Sequence, residues 1–375
     1  MTIRAHDEKD EHAGATAQPR RLQRALLQWY AKEKRDLPWR ATKDPYAIWL
    51  SEVMLQQTRV DTVRPYYERF VATYPTVHAL AEAPLERVLA DWSGLGYYRR
   101  ARMLHEGARQ VVRDFDGKFP RAASELRGIV GIGPYTAGAV ASIAFDTRAP
   151  LVDGNVARVL ARIFGVEEDV RAGKGRARIW ELAESIVPEV GAGDFNQALM
   201  ELGATICSPQ SPACGRCPVR GSCAGFASGE PERLPNMAPK AKPRPWPRAA
   251  LVATRGEERL LLARRKRELV FGGLWEPPSL DVENVQDDPA RLVALTGVKG
   301  PDPELAGQVT HILSHRKMTI AVYRTAVRVE RAGLPHDHAE YDALEWVDRK
   351  AAMSRGMSTL ARKVLRTCGI EVERR

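Results

Sequence analysis

Four cysteines, Cys207, Cys214, Cys217 and Cys223, stand in a C-x6-C-x2-C-x5-C frame seventeen residues long. Thiolates this close in sequence can converge on one centre. The residues between them are rich in Pro, Gly and Ser, so the segment should wrap as a loop. The chain has one further cysteine, Cys368, whereas secreted disulfide scaffolds are cysteine-dense throughout. Two disulfides are therefore disfavoured. An iron–sulfur centre and a structural zinc both fit the spacing.

Two carboxylates stand out for a different chemistry. Glu52 lies in DPYAIWLSEVMLQQTRV, where apolar residues surround it. Desolvation on such a helix raises a carboxyl pKa, which is what a general acid needs near neutral pH. Periodicity alone favours the blander reading, a carboxylate on the solvated side of an amphipathic helix. Asp153 precedes the periodic run NVARVLARIF and should cap its N-terminus. Between the two lies GIVGIGPYTAGAV at 128–140. Gly131 and Gly133 flank Ile132, and Pro134 opens the next helix. Backbone N–H groups at such a turn offer a site for a phosphate. The plain alternative is an ordinary glycine-rich helix connection.

These residues need a scaffold. The chain has 375 residues, enough for two domains with their own cores. The fold class expected is multidomain, α followed by α+β. Residues 1–20 read as a disordered tail. Residues 21–228 read as an all-helical domain that includes the cysteine loop. Apolar residues recur there at three- and four-residue spacing, as in Leu22, Leu26, Leu27 and Tyr30. Asp44-Pro45 and Gly133-Pro134 mark helix starts. Residues 229–248 hold six prolines and read as a basic, semi-extended linker. Residues 249–370 change period. RAALVAT, ERLLLAR and KMTIAVYRTAVRV read as strands, and STLARKVLRTC as a closing helix with Cys368 on its apolar stripe. The formal charge of +10 favours a polyanionic partner. No apolar stretch is long enough for a membrane span, and MTIRAHDEKDEHAGATAQPR has no apolar signal core, so a cytoplasmic, nucleoid-associated location is expected.

Residues 22–225 resemble the A/G-specific adenine DNA glycosylases of the helix-hairpin-helix superfamily. The matching segments are LPWR at 37–40, SEVMLQQTRV at 51–60, WSGLGYYRRAR at 92–102, GIGPYTAGAV, VDGNVARVLAR and FNQALMELGATIC. The cysteine spacing is similar to the cluster loop of the endonuclease III class, which implies one 4Fe-4S cluster. Two positions depart from the usual pattern: IVGIG lacks the proline that commonly precedes the first glycine, and Met103 replaces asparagine. The resemblance implies that Glu52 protonates adenine and that Asp153 stabilises the sugar cation. Tyr135 and Asn155 would position these groups and the water. Trp39, Arg40 and Gln197 would form the adenine pocket. Gln57 and Tyr97 would wedge into the duplex, and the hairpin of Gly131 and Gly133 would grip its backbone. Bifunctional relatives carry a lysine where this chain has Tyr135. A phenol cannot form an imine, so base removal without strand cleavage is implied.

GGLWEPPSL at 272–280 resembles the entry to a Nudix-like α/β domain. RLVALTGV at 291–298 carries none of the acidic residues that a Nudix hydrolase uses for metal. In adenine glycosylases this domain reads 8-oxoguanine. Leu313, Ser314 and His315 stand where Phe-Ser-His is usual, so Ser314 and His315 would contact the lesion. His311 and His315 have too few neighbouring ligands to suggest a metal site. The partner implied is double-stranded DNA with an A:8-oxoguanine or A:G pair, bound by a monomer that needs no membrane. Two rivals remain. One is a bifunctional endonuclease III-like glycosylase/lyase, against which Tyr135 argues. The other is a non-catalytic DNA-binding protein, against which the Glu52–Asp153 pair argues.

Overall fold

A computed structural model describes residues 7–239, 241–283, 289–313, 315–329 and 338–371, with backbone alone for 7–18 and 353. The first stretch is helical: α1 (Asp7–Glu33), α2 (Pro45–Leu55), α3 (Val60–Thr73), α4 (Val77–Glu82), α5 (Leu85–Trp92), α6 (Arg99–Phe115), α7 (Ala123–Leu126), α8 (Pro134–Phe145), α9 (Gly154–Phe164), α10 (Gly173–Ile186), α11 (Ala192–Thr205) and α12 (Ala224–Ala227). Strands follow: β1 (Arg244–Arg255), β2 (Arg259–Arg265), β3 (Trp275–Glu276) and β4 (Ser279–Asp281), then α13 (Ala290–Thr296), β5 (Glu304–Ile312), β6 (Arg316–Ala326), β7 (Tyr341–Asp348), α14 (Arg349–Ser354) and α15 (Thr359–Thr367).

Two compact units result. One takes in residues up to Ala81 and Glu106–Pro239; the other takes in Glu82–His105 and Lys240–Arg375. The segment around Tyr97 therefore groups with the C-terminal strands. Its helical period is continuous with its neighbours and points instead to the helical domain.

In the first unit, α2 and α8 are apolar on nearly every face, and a helix of that kind is buried. Their starts follow the expected signals. Asp44 accepts the Tyr46 N–H at 3.1 Å ahead of Pro45, and Gly133 precedes Pro134. Close helix contacts need small residues. A Cβ on Gly193 of α11 would stand 2.5 Å from the Ser142 carbonyl oxygen on α8. A Cβ on Gly138 would stand 2.0 Å from the Pro150 oxygen, so the chain entering α9 runs directly against α8.

The second unit is a seven-stranded sheet in the order β3-β2-β1-β6-β5, with β4 on β1 and β7 on β2. The β1–β6 pair is parallel and the other pairs are antiparallel. One face carries Val252, Leu262, Met318 and Ile320 against Leu360 and Val364 of α15. The other carries Leu251, Leu261 and Tyr323 against Leu292 of α13. Within this unit Ser93 and Tyr98 hydroxyls donate to the Met357 carbonyl at 2.5 and 2.9 Å. The Trp275 indole N–H donates to Glu86 at 2.8 Å.

Two expectations change. Helix α1 begins at Asp7, inside the segment expected to be disordered. Its Ala, Glu, Lys and Gln are good helix formers, and they carry the helix past Gly14 and Pro19. Strand β1 begins at Arg244, inside the expected linker, and includes Pro245 and Pro247. Successive N–H groups of a strand point to opposite sides. The Arg244 N–H donates to the His315 carbonyl at 2.9 Å, so residues of the other parity place their missing donors away from β6.

Candidate active site

The first unit holds an open cavity of about 580 Å³. Glu52, Tyr135, Asp153, Asn155, Trp39, Arg40, Gln197 and Gln57 all line it. Every catalytic and adenine-pocket residue expected from sequence is thus brought to one hollow. Four helices contribute to it: α2 carries Glu52, the N-terminus of α8 carries Tyr135, the N-terminus of α9 is capped by Asp153, and α11 carries Gln197 and Met200.

Glu52 is only 5% exposed, which overturns the solvated-face reading. Because α2 is apolar all round, no face was free to carry a charge into water. Burial pushes the Glu52 pKa up to about 7; Tyr135 opposes that shift and Asp153 adds to it. The Tyr135 hydroxyl donates to Glu52 Oε2 and also lies 3.3 Å from Met200 Sδ. Burial and the Glu52 charge hold the Tyr135 phenol well above its ordinary range, so it stays a donor.

Asp153 has two tethers. Its Oδ1 accepts the Val156 N–H at 2.7 Å, and its Oδ2 accepts the Asn155 amide at 3.2 Å. Burial pushes its pKa up while these hydrogen bonds favour the carboxylate. Asp153 caps α9 and lines the cavity at the same time.

Sequence reading missed Glu201. Its side chain is fully buried, and it accepts Arg35 at 2.7 and 2.8 Å and Arg40 at 2.7 Å. Burial opposes its ionisation, but the two guanidinium groups outweigh that and hold it at about 2. Arg40 is therefore locked at the cavity wall, 5.4 Å from the Tyr30 ring. Trp39 is held edge-on to Tyr67 at 5.4 Å. The available signal was an acid in the apolar run FNQALMELGATIC, the same kind of signal that drew attention to Glu52.

At the hairpin, Gly131 has φ +83°, which favours glycine. Ile132 between the glycines is buried, and its N–H donates to the Ile129 carbonyl at 3.1 Å. Space around Gly133 is open: a Cβ there would meet nothing within 4 Å. Gln57 and Tyr97 both hold left-handed backbones, at φ +57° and +48°. Tyr97 is 48% exposed. Ser314 lies outside the described residues. His315 is exposed, and α13 has no acidic side chain.

The cysteine loop is held from α9. Arg162 is 2% exposed. Its guanidinium donates to the Ser208 carbonyl at 2.7 Å and the Pro209 carbonyl at 2.9 Å, and stands 3.3 Å from Cys207 Sγ. Arg158 donates to the Cys207 carbonyl at 2.8 Å and to Asn155 Oδ1 at 2.8 Å. One helix thus ties the cysteine loop to the cavity. None of the four cysteines is in a disulfide. Burial pushes Cys217 up to about 11, and Cys207, Cys223 and Cys214 push the same way. An all-sulfur donor set beside a buried cation with no carboxylate partner among the described residues fits an anionic iron–sulfur cluster.

A helical unit with a buried acid facing a hollow, followed by a cysteine loop and a covered sheet, defines a class: base excision DNA glycosylases with an appended Nudix-like domain. Residues 50–185 match the HhH-GPD superfamily of base excision DNA repair proteins. Residues 207–223 match the iron–sulfur binding domain of endonuclease III, and 249–367 match the NUDIX domain. The adenine DNA glycosylase of Rattus norvegicus is 38% identical over 92% of this chain and 77% of that protein. That of Homo sapiens is 38% identical over 91% and 73%. A thermostable thymine-DNA glycosylase structure is 32% identical, with a TM-score of 0.52, over 57% of this chain and 99% of that one. The chain belongs to the adenine DNA glycosylase family. No described helix is long and apolar enough to cross a membrane.

Proposed function

We propose that this protein removes adenine paired with 8-oxoguanine or guanine in duplex DNA, by hydrolysis of the N-glycosidic bond and without strand cleavage. The observation that carries the reading is Glu52, a buried acid with a pKa of about 7 in the same hollow as Asp153. Adenine leaves the stack at a cost of about a few kcal/mol, less from a mispair than from a matched pair. Glu52 donates its proton to N7, because a neutral purine departs more readily than its anion. As the bond lengthens the sugar becomes oxocarbenium-like, and Asp153 lies on the cavity wall to stabilise that cation. Asn155 keeps Asp153 in place; water then adds to the sugar carbon that held the base and gives its proton to the Glu52 carboxylate, which restores the acid. General acid catalysis of this kind contributes about 10²–10⁴-fold. Tyr135 occupies the place where a lysine would form an imine.

Trp39, Arg40 and Gln197 form the base pocket, Gln57 and Tyr97 hold the duplex open, and the Gly131–Gly133 turn binds a phosphate. Ser314 and His315 read the lesion. The cysteine loop holds one 4Fe-4S cluster, and the protein acts as a monomer at the nucleoid. Single-turnover excision from A:8-oxoguanine, A:G and A:T duplexes tests this, with the first two cleaved and the third refractory. Equal rates on all three would refute the mispair assignment. Iron analysis should give about four irons per chain, and Cys214→Ser should lower that content.

A further inference from the structure

Among the described residues six that are not glycine hold a left-handed backbone: Gln57, Tyr97, Asp116, Asp146, Ser211 and Phe271. Asp116, Asp146 and Ser211 have short polar side chains, which bond locally and tolerate this region. Gln57 and Tyr97 are the two residues assigned to the duplex wedge. Phe271, at φ +62°, is left with no such explanation, and a bulky residue there is an outlier. Strain of this kind persists only where the surroundings impose it, and it gathers at functional sites.

The surroundings do impose it. The Gly272 N–H donates to the Leu269 carbonyl at 2.9 Å, Gly273 to Arg265 at 2.8 Å and Leu274 to Phe271 at 3.1 Å. A Cβ on Gly272 would stand 2.3 Å from the Arg267 oxygen. Arg102, five residues after Tyr97, donates to the Gly272 carbonyl at 2.5 Å. The Phe271 turn is thereby fastened to the segment that presents Tyr97. The Phe271 ring is partly buried, with its centroid 6.3 Å from that of His311 and inclined at 54°. Phe271 and Leu313 pack on the same apolar cluster. Leu313 is the position where an aromatic residue was expected and is missing.

We infer that Phe271 is a base-contacting residue, whose ring stacks against the purine opposite the target adenine and replaces the aromatic face absent at Leu313. The inference rests on the proposal that the second unit reads that purine. Base–aromatic stacking is tolerant of base identity, because every base has a π-face. Phe271 therefore supplies affinity for either purine, and the hydrogen-bonding residues supply the choice between 8-oxoguanine and guanine.

The test uses full-length protein and duplexes carrying a non-cleavable 2′-fluoro-adenosine opposite 8-oxoguanine, guanine or a tetrahydrofuran abasic analogue. Phe271→Leu keeps the apolar packing and removes the ring. Phe271→Gly also relieves the backbone strain, so it remains informative if packing falters. Both variants should bind the two purine duplexes at least about fivefold more weakly. Binding to the abasic duplex should be unchanged. Equal loss on all three duplexes, or no loss on the purines, would overturn the inference. His315→Ala is the companion. If it leaves the 8-oxoguanine-to-guanine ratio unchanged, the lesion-reading assignment fails, and the Phe271 contact is judged on the abasic comparison alone.

Discussion

Glu52 is acidic in the useful range because α2 has no polar face on which to place it. Its acid form is lost as pH rises through about 7, so single-turnover excision should fall on that limb. A pH–rate profile flat from 5 to 9 would remove it as the general acid. Linkage gives a second consequence. A carboxyl whose pKa is raised on folding contributes stability below its unfolded value near 4.5, and that contribution is lost as pH climbs through about 7. Glu52→Gln should therefore abolish adenine release while raising stability at pH 8 by at most about 3 kcal/mol, with little gain at pH 4. Thermal melts at the two pH values check this. Glu201 obeys the opposite sign. Its depressed pKa stabilises the fold above about 4.5, and that contribution fades as pH falls through about 2. Glu201→Gln leaves Arg40, with a side chain 12% exposed, facing a neutral partner, and should cost about 3 kcal/mol, read by denaturant unfolding. The apolar setting of Glu52 was legible in sequence. Its burial was not, because periodicity cannot orient a helix that is apolar on every side. Glu201 escaped notice because its partners, Arg35 and Arg40, are more than 160 residues away in sequence.

At the scale of elements, caps and glycines set the geometry of the hollow. Asp44, Gly133 and Asp153 start their helices as their residue types dictate, which is why these elements were readable. The crossings were not, since a glycine in a helix signals close approach without naming the partner. Gly203 is the sharpest case. A Cβ there would stand 2.6 Å from Asn155 Cβ and 3.2 Å from its backbone. Gly203→Ala should push the start of α9 away from α11, lower excision and destabilise the protein by about 1–3 kcal/mol. Wild-type excision with an unchanged melt would show that the N-terminus of α9 tolerates displacement. Strand β1 was misplaced for a different reason. Prolines argue against a central strand, and only the parity of Pro245 and Pro247 makes them compatible with the β6 ladder. The sheet order and the grouping of Glu82–His105 with the strands rest on long-range contacts, to which local period is blind.

At the scale of the whole molecule, a basic chain of 375 residues folds as two compact units. The class was legible because the chemistry sits in short stretches: SEVMLQQT, GIGPY, VDGN and the cysteine frame. The central chemistry is the fate of one bond. Incubated in excess with a duplex carrying adenine opposite 8-oxoguanine, the protein should release free adenine and leave the strand whole. Hot alkali should then cut that strand at the former adenine, and Glu52→Gln should give no alkali-sensitive product. Scission without alkali, or alkali-sensitive product from Glu52→Gln at the wild-type rate, would contradict it.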